Sequence, residues 1–262
     1  MRPYYEDEQA VIYLGDCREI LPALTGGASA MVTDPPYGIG WRRGHNAARS
    51  SKAHAGIRGD KDTTARDEML TAWGDGPAIL FGSLAVAPPA GLVQTLIWRK
   101  PADAGVVGSV TGFRRDVEAI YLCGTIPRRT VRWSSVLESR ISNIGSPSSP
   151  AGKTGHPHAK PTDLMERLIS LVRGVILDPF AGSGSTLVAA KQLGRRAIGI
   201  EIEERYCEVA AKRLGQEVLD LAAATDPAPD CHCSYDAILT ADEAKQRIES
   251  CPIHGTAEGA LI

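Results

Sequence analysis

Two polar turns, each closing an apolar run, constrain this chain more than anything else in it. Ala30-Met31-Val32-Thr33 stops at Asp34-Pro35-Pro36-Tyr37, and Val175-Ile176-Leu177 stops at Asp178-Pro179-Phe180-Ala181-Gly182-Ser183-Gly184-Ser185-Thr186. A short β-branched or aliphatic run that halts at a Pro- or Gly-rich turn reads as a parallel strand delivering its C-terminal end into a site. Periodicity predicts further strands at about 10–14, 78–82, 94–98, 117–122 and 197–200, with the two above at 29–33 and 174–177. Helices are expected near 17–24, 65–73, 161–172, 185–193 and 203–214. Such alternation argues for a parallel, doubly wound α/β sheet.

The glycine-rich turn has the form of a nucleoside cradle. Gly182 and Gly184 let the backbone turn tightly and approach a ligand, and Ser185-Thr186 open an apolar-periodic helix through Leu187, Val188 and Ala190. The following strand ends in Glu201, about 20 positions on, the spacing that places a carboxylate on ribose hydroxyls. A dinucleotide-binding unit is the alternative, but the third glycine of that fingerprint is missing. The turn suits a nucleoside better than a pyrophosphate.

Asp34-Pro35-Pro36-Tyr37 supplies matching chemistry. An exocyclic amine on a nucleobase is a poor nucleophile, because its lone pair is delocalised into the ring. Holding its two protons on two acceptors turns the lone pair toward a methyl donor. The Asp34 carboxylate can be one acceptor and a backbone carbonyl of the rigid Pro35-Pro36 turn the other. Tyr37 adds an aromatic face on which a flat, extruded base can stack. The alternative is a proline turn that caps a strand, with Tyr37 as packing. Read together, the two turns describe methyl transfer from S-adenosylmethionine to an amine.

At this point the chain resembles the amino-methyltransferases of DNA, in particular the permuted beta group, in which the catalytic turn precedes the cofactor turn. The resemblance covers roughly residues 4 to 215. Tyr4-Tyr5-Glu6-Asp7, then Ile12-Tyr13-Leu14-Gly15-Asp16-Cys17 and Ile20-Leu21, are similar to the family's opening strand and turn. The acidic residue of that turn contacts the cofactor's adenine in the family, which implies Asp16, with Cys17 beside it. His156-Pro157-His158-Ala159-Lys160-Pro161 resembles a His-Pro-x-x-Lys-Pro element placed at the methionine end of the cofactor pocket, implying His156 and Lys160. Asp178, Phe180, Ala181, Gly182, Ser183, Gly184, Ser185 and Thr186 match the cofactor turn almost letter for letter. The implied fold is a Rossmann-like S-adenosylmethionine-dependent methyltransferase domain with a short recognition insertion. The implied reaction methylates the exocyclic amine of a base flipped out of double-stranded DNA, without a covalent enzyme intermediate. In the family an aspartate at the first position goes mostly with N6 of adenine and a serine with N4 of cytosine, so Asp34 favours adenine. N4-cytosine, RNA or protein amines, and a non-catalytic DNA-binding relative stay open.

Length and charge agree with that reading. At 262 residues the chain is ample for one three-layer domain, expected over 1–222, and no apolar run approaches a membrane span. The start is polar and aromatic, unlike a signal peptide, so a cytoplasmic protein is expected. The net charge of −2 hides two basic stretches. The loop 38–66 carries Arg42, Arg43, Arg49, Lys52, Arg58, Lys61 and Arg66, and 128–160 carries Arg128, Arg129, Arg132, Arg140, Lys153 and Lys160. Two basic segments flanking a cleft are what phosphate contacts require, solvated surface arginines being the plainer reading.

The stretch 124–155 has no defensible periodicity and is the expected target-recognition segment. Its shortness implies a short recognition site, or recognition shared by a homodimer. Trp133 there could be a base wedge or simply core. After an acidic linker, 223–262 forms a distinct tail. Cys231, Cys233, Cys251 and His254 there could make a Cys3His zinc site, although Cys-x-Cys is a tighter pair than usual and reduced, non-ligating thiols are the alternative.

Overall fold

One mixed β-sheet organises the chain in a computed structural model that describes residues 1–40, 56–100, 112–113, 115–127, 133–139 and 159–216. Apart from Trp133, these belong to a single unit, Met1–Pro127 with Ser134–Gln216. The strands are β1 (Tyr5–Glu6), β2 (Ala10–Leu14), β3 (Ala30–Thr33), β4 (Ala78–Gly82), β5 (Leu92–Arg99), β6 (Val117–Cys123), β7 (Val136–Glu138), β8 (Ile176–Asp178) and β9 (Ala197–Glu201). The helices are α1 (Cys17–Ile20), α2 (Thr64–Trp73), α3 (Thr162–Ile169), α4 (Ser185–Gln192) and α5 (Glu204–Gly215). Strand order is β1-β2-β9-β8-β3-β4-β6-β5-β7.

The central strands read as continuous apolar runs because both faces of the sheet are covered. Every residue of β3, β4 and β8 is buried. Successive residues point to opposite sides. Val32, Ile79 and Phe81 join one core with Leu164 and Leu168 of α3, Leu187 of α4 and Cys207 and Ala210 of α5. Met31, Leu80 and Leu177 join a second with Cys17, Ile20, Leu21 and Met69. Helix α3 owes its place to a stripe, Leu164, Met165, Leu168 and Ile169, all fully or nearly fully buried. Truncating Leu168 to Ala would cost about 2–5 kcal/mol at such a site.

The topology decides where a ligand can sit. From β3 the chain moves outward to β4 on one side, and from β8 to β9 on the other. The crevice between β3 and β8 is therefore the switch point of the sheet, where ligands bind at the carboxyl ends of the strands. The two strands pair in parallel, Ala30 with Ile176 and Met31 with Leu177, so both polar turns leave the sheet side by side.

The sheet departs from the parallel expectation at both ends. β1 is antiparallel to β2, and β6 runs antiparallel between β4 and β5. β4 and β5 both run antiparallel to β6 and so share one direction, and the chain passes between them through residues 83–91, which contain Pro88-Pro89 and no helix. The helix expected over 17–24 is only α1 followed by 3-10 turns at Leu21–Ala23 and Thr25–Gly27, where Pro22 offers no N–H and two glycines follow. β1 and β7 were too short for periodicity to reveal. Among the described residues no helix is long and apolar enough to cross a membrane.

Candidate active site

A cleft of about 1600 Å3 opens at the switch point and takes in both turns. Asp34, Pro35, Pro36, Tyr37 and Lys160 line it together with Asp16, Cys17, Asp178, Gly182 and Glu201.

The half expected to hold the cofactor is assembled largely by local backbone. Gly182 and Gly184 have φ of 50° and 80°, in the left-handed region where a side chain is strained. Gly184 also lies so close to α5 that an added Cβ would stand 2.8 Å from the Cβ of Ala210. The Glu201 carboxylate is pinned at the end of β9, accepting from the Gly182 N–H at 2.7 Å and the Glu203 N–H at 2.8 Å. Burial raises its proton affinity, and those backbone donors oppose the rise. Asp178 is 3% exposed and accepts from the Thr33 hydroxyl at 2.6 Å and the Phe180 N–H at 3.1 Å. Burial outweighs these bonds and one from Thr186, pushing its carboxyl to about 6. Asp16 caps α1, accepting from the Arg18 N–H, and its carboxylate is gripped by the Arg18 guanidinium at 2.9 and 2.5 Å. Cys17 is buried at 5% exposure and its thiol is pushed up to about 12, mainly by burial, so it is a packing residue at the cleft wall and no nucleophile.

The turn Asp34–Tyr37, the expected catalytic turn, is assembled by side chains from distant segments. Tyr37 Oη lies 2.8 Å from Asp34 Oδ1 and 2.9 Å from Glu118 Oε2, and accepts from Lys160 Nζ at 3.0 Å. Lys160 Nζ also reaches Asp34 Oδ2 at 2.8 Å and Glu118 Oε2 at 3.2 Å, and Lys100 Nζ holds Glu118 Oε1 at 2.5 Å. The ammonium of Lys160 sits over the rings of Phe81 at 4.7 Å and Tyr37 at 5.4 Å. Burial alone would discharge Lys160, but the facing Asp34 and Glu118 raise its pKa and keep it cationic. Burial would likewise raise Glu118, yet Lys160 and Lys100 outweigh it and hold that carboxylate at about 2. Asp34 is raised, chiefly by burial and further by Glu118, against the pull of Lys160. Tyr37 is pushed well above its ordinary value by burial and the two carboxylates, so it stays a hydroxyl donor.

The turn itself requires glycine next door. Gly38 has φ of 76°, and a Cβ there would meet the carbonyl carbon of Asp62 at 2.7 Å. The Gly38 N–H donates to Asp60 Oδ1 at 2.8 Å, which ties residues 56–62 to the catalytic turn.

Several expectations change. Arg66 is 4% exposed, its guanidinium donating to Asp67 and to the Ala87 carbonyl, so it cannot serve DNA phosphates. Lys160, at 6% exposure, is likewise no surface charge, and its ammonium is directed to the catalytic turn. Arg58 and Lys61 do stand at the cleft. Trp133 is 51% exposed and not core. Glu118 and Lys100 were missed, since one charged residue beside an apolar strand has no periodic signature; only its place at the start of β6 hinted at a site. His156, the zinc candidates Cys231, Cys233, Cys251 and His254, most of the basic loop and most of 124–155 lie outside the described residues. Among the described residues no cluster of three His, Cys, Asp or Glu could hold a metal ion.

The donor set fits S-adenosylmethionine. The cradle offers backbone N–H groups and two carboxylates, Asp16 and Glu201, at the ends of the adjacent strands β2 and β9, suited to hydroxyl and amino donors and hostile to a pyrophosphate. Comparison with known proteins agrees. A family model for N6/N4 methyltransferases, described as DNA methylase, matches residues 89–212. YubD, an inferred methylase of Escherichia coli (strain K12), is 30% identical over 241 residues, covering 81% of this chain and 94% of that protein. The type II methyltransferase M.ScaI of Streptomyces caespitosus is 27% identical over 269 residues, covering 84% of this chain and 86% of that one. Among solved structures, M1.HpyAVI in complex with S-adenosylmethionine shares the fold at a TM-score of 0.53 and 23% identity, over 79% of this chain and 99% of that one. The sheet, the switch-point cleft and a similarity running across four-fifths of the sequence lead to one assignment: this chain belongs to the family of S-adenosylmethionine-dependent N6-adenine/N4-cytosine DNA methyltransferases.

Proposed function

We propose that the protein methylates N6 of an adenine flipped out of a short duplex site. The observation that carries this reading is the convergence of Asp34 and the glycine turn on adjacent strands at one crevice, with a carboxylate acceptor beside a nucleoside cradle. Asp34 accepts one proton of the target amine and the Pro35 carbonyl the other, which fixes the nitrogen and turns its lone pair toward the cofactor. Tyr37, anchored by its hydroxyl, offers its ring face to the base. Glu201 receives ribose hydroxyls on the lone pairs left by Gly182 and Glu203, while Asp16 and the Ala181–Gly184 backbone complete the cradle. S-adenosylmethionine, when bound, supplies an electrophilic methyl group on a sulfonium. The residues contribute positioning and hydrogen-bond polarisation, and proton loss follows transfer.

Adenine rather than cytosine is favoured by the carboxylate at position 34, since aspartate goes mostly with adenine in enzymes of this type and serine with cytosine. The test is incubation of purified protein with S-adenosylmethionine and unmethylated DNA, beside Asp34→Ala, with modified nucleosides quantified by mass spectrometry. N6-methyladenine that depends on Asp34 is expected. N4-methylcytosine would keep the mechanism and overturn the base assignment, and no methylated base despite measured cofactor binding would overturn both.

A further inference from the structure

At the catalytic turn one hydroxyl proton has two carboxylates within reach. Asp34 must accept from the target amine, and although each of its oxygens has a second lone pair, each already faces one donor that draws on its charge and competes with the amine. Lys160 Nζ is 2.8 Å from Oδ2 and the Tyr37 hydroxyl is 2.8 Å from Oδ1. That hydroxyl carries one proton, and Glu118 Oε2 stands 2.9 Å away on its other side. Rotation of the O–H bond alone, with no heavy atom moving, passes the proton from Asp34 to Glu118 and leaves Oδ1 without a competing donor. Without a second acceptor the same rotation would strand a buried hydroxyl proton, a state the fold disfavours. Lys100, 2.5 Å from Oε1, fixes the Glu118 carboxylate from behind. Lys100, Glu118, Lys160 and Asp34 thus alternate in sign, so a second carboxylate is tolerated 15% exposed beside the first.

We infer that Glu118 is a positioning residue for methyl transfer: by accepting the Tyr37 hydroxyl proton, it relieves one oxygen of Asp34 of a donor that competes with the target amine. The inference rests on the reading of Asp34 as the amine acceptor. It accounts for a mostly buried acid, 15% exposed, on a strand far in sequence from both motifs, and it gives the tyrosine hydroxyl a task separate from stacking by the ring.

A double-mutant cycle tests it, with kcat and the KM for S-adenosylmethionine measured for the full chain, Glu118→Gln, Tyr37→Phe and the double variant. In Glu118→Gln a neutral amide competes poorly with the Asp34 carboxylate for the proton, so kcat should fall by about tenfold or more while the cofactor KM stays within about twofold. In the Tyr37→Phe background no hydroxyl occupies Oδ1, and Glu118→Gln should add less than about a twofold change. The acid limb of kcat should also move to lower pH in Glu118→Gln. Lys160, Tyr37, Glu118 and Asp178 are the groups acting on Asp34, and the variant removes a repelling charge while strengthening the Tyr37 bond. A wild-type kcat for Glu118→Gln, or effects that multiply in the double variant, would overturn the inference. Should thermal unfolding show that Glu118→Gln does not fold, the cycle is run with Glu118→Asp, which keeps the charge but withdraws the carboxylate from Tyr37, and the same non-additivity is required. Asp34→Ala separates the two levels. Methylation that survives it defeats the amine-acceptor reading itself, whereas a dead Asp34→Ala beside multiplicative Glu118 effects defeats only the role of Glu118.

Discussion

The turn at Asp34 and the turn at Gly182 stand on neighbouring strands and face one cleft, yet they are stabilised by opposite means. At the glycine turn the important contacts are backbone ones: Glu201 is held by the N–H groups of Gly182 and Glu203, and Gly184 is shaped by its own φ and by the proximity of Ala210. At the catalytic turn they are side-chain ones between ionised groups, with Lys160, Glu118 and Lys100 arriving from other segments. A cofactor cradle can hold the Glu201 carboxylate with backbone N–H groups alone, because its ligand brings hydroxyl and amino donors. An amine acceptor must stay anionic while it is desolvated, and only balancing cations make that affordable. Substitutions in the two regions should therefore fail in different ways.

The largest expected effect is on chemistry. Asp34→Ala should lower kcat by roughly 10²–10³-fold or more while leaving the S-adenosylmethionine Kd nearly unchanged, as read by single-turnover kinetics and calorimetry. A parallel loss of cofactor affinity would erase the distinction between the two regions. Next in size is Gly184→Ala, which forces a left-handed φ of 80° on a side chain and drives its Cβ against Ala210. A destabilisation of about 2–4 kcal/mol is expected from strain and overpacking together, visible in denaturant unfolding.

Glu201→Gln should come third. Loss of charge-assisted hydrogen bonds to ribose would weaken cofactor binding by about tenfold or more, with kcat at saturating cofactor near wild type. Equilibrium titration and saturation kinetics would show whether this half contributes binding alone.

The acids of the two regions should also respond to pH in different observables. Asp34 is raised above the ordinary carboxylate range mainly by burial, and in the proposed mechanism only its ionised form accepts the amine, so kcat should fall on acidification while the protein is still folded. Asp178, raised to about 6 by burial, binds its proton more tightly in the folded protein than in the unfolded chain. Between about pH 6 and the unfolded value near pH 4, the native state holds that proton and the unfolded state does not, so this group favours folding increasingly as pH falls. Thermal unfolding across that window should show the gain in the parent chain and lose it in Asp178→Asn.

The smallest effect separates surface from buried basic residues. Arg58→Ala should reduce the slope of log K against log salt for DNA binding by about one, the signature of one lost phosphate contact. Arg66→Gln should leave that slope unchanged, because its guanidinium is already spent on Asp67 and Ala87.

Much of this was legible in the residues. The strands ending at Thr33 and Asp178 are β-branched or aliphatic runs closed by turn residues, and such local patterns survive folding because the buried centre of a sheet demands them. Gly182, Gly184 and Glu201 were readable for the same reason, since spacing along a strand-turn-helix-strand unit fixes their positions in space. β7 and β1 escaped notice, being three and two residues long. The antiparallel placement of β6 escaped too, because an amphipathic or apolar run carries no mark of the direction its partner will take.

By itself, then, the sequence determined most of the element types and the two turns, and it pointed to a kind of ligand for each, all of which depend on residues within about 20 positions of one another. Only the tertiary structure decided that Asp34 shares its lysine with Glu118, that Tyr37 reaches across 81 positions to that acid and Lys160 across 123 to that tyrosine, and that Arg66 is spent inside the fold. The physical reason is range. Propensity and periodicity act between near neighbours along the chain, whereas the pairing of buried charges is settled by which strands the sheet brings side by side.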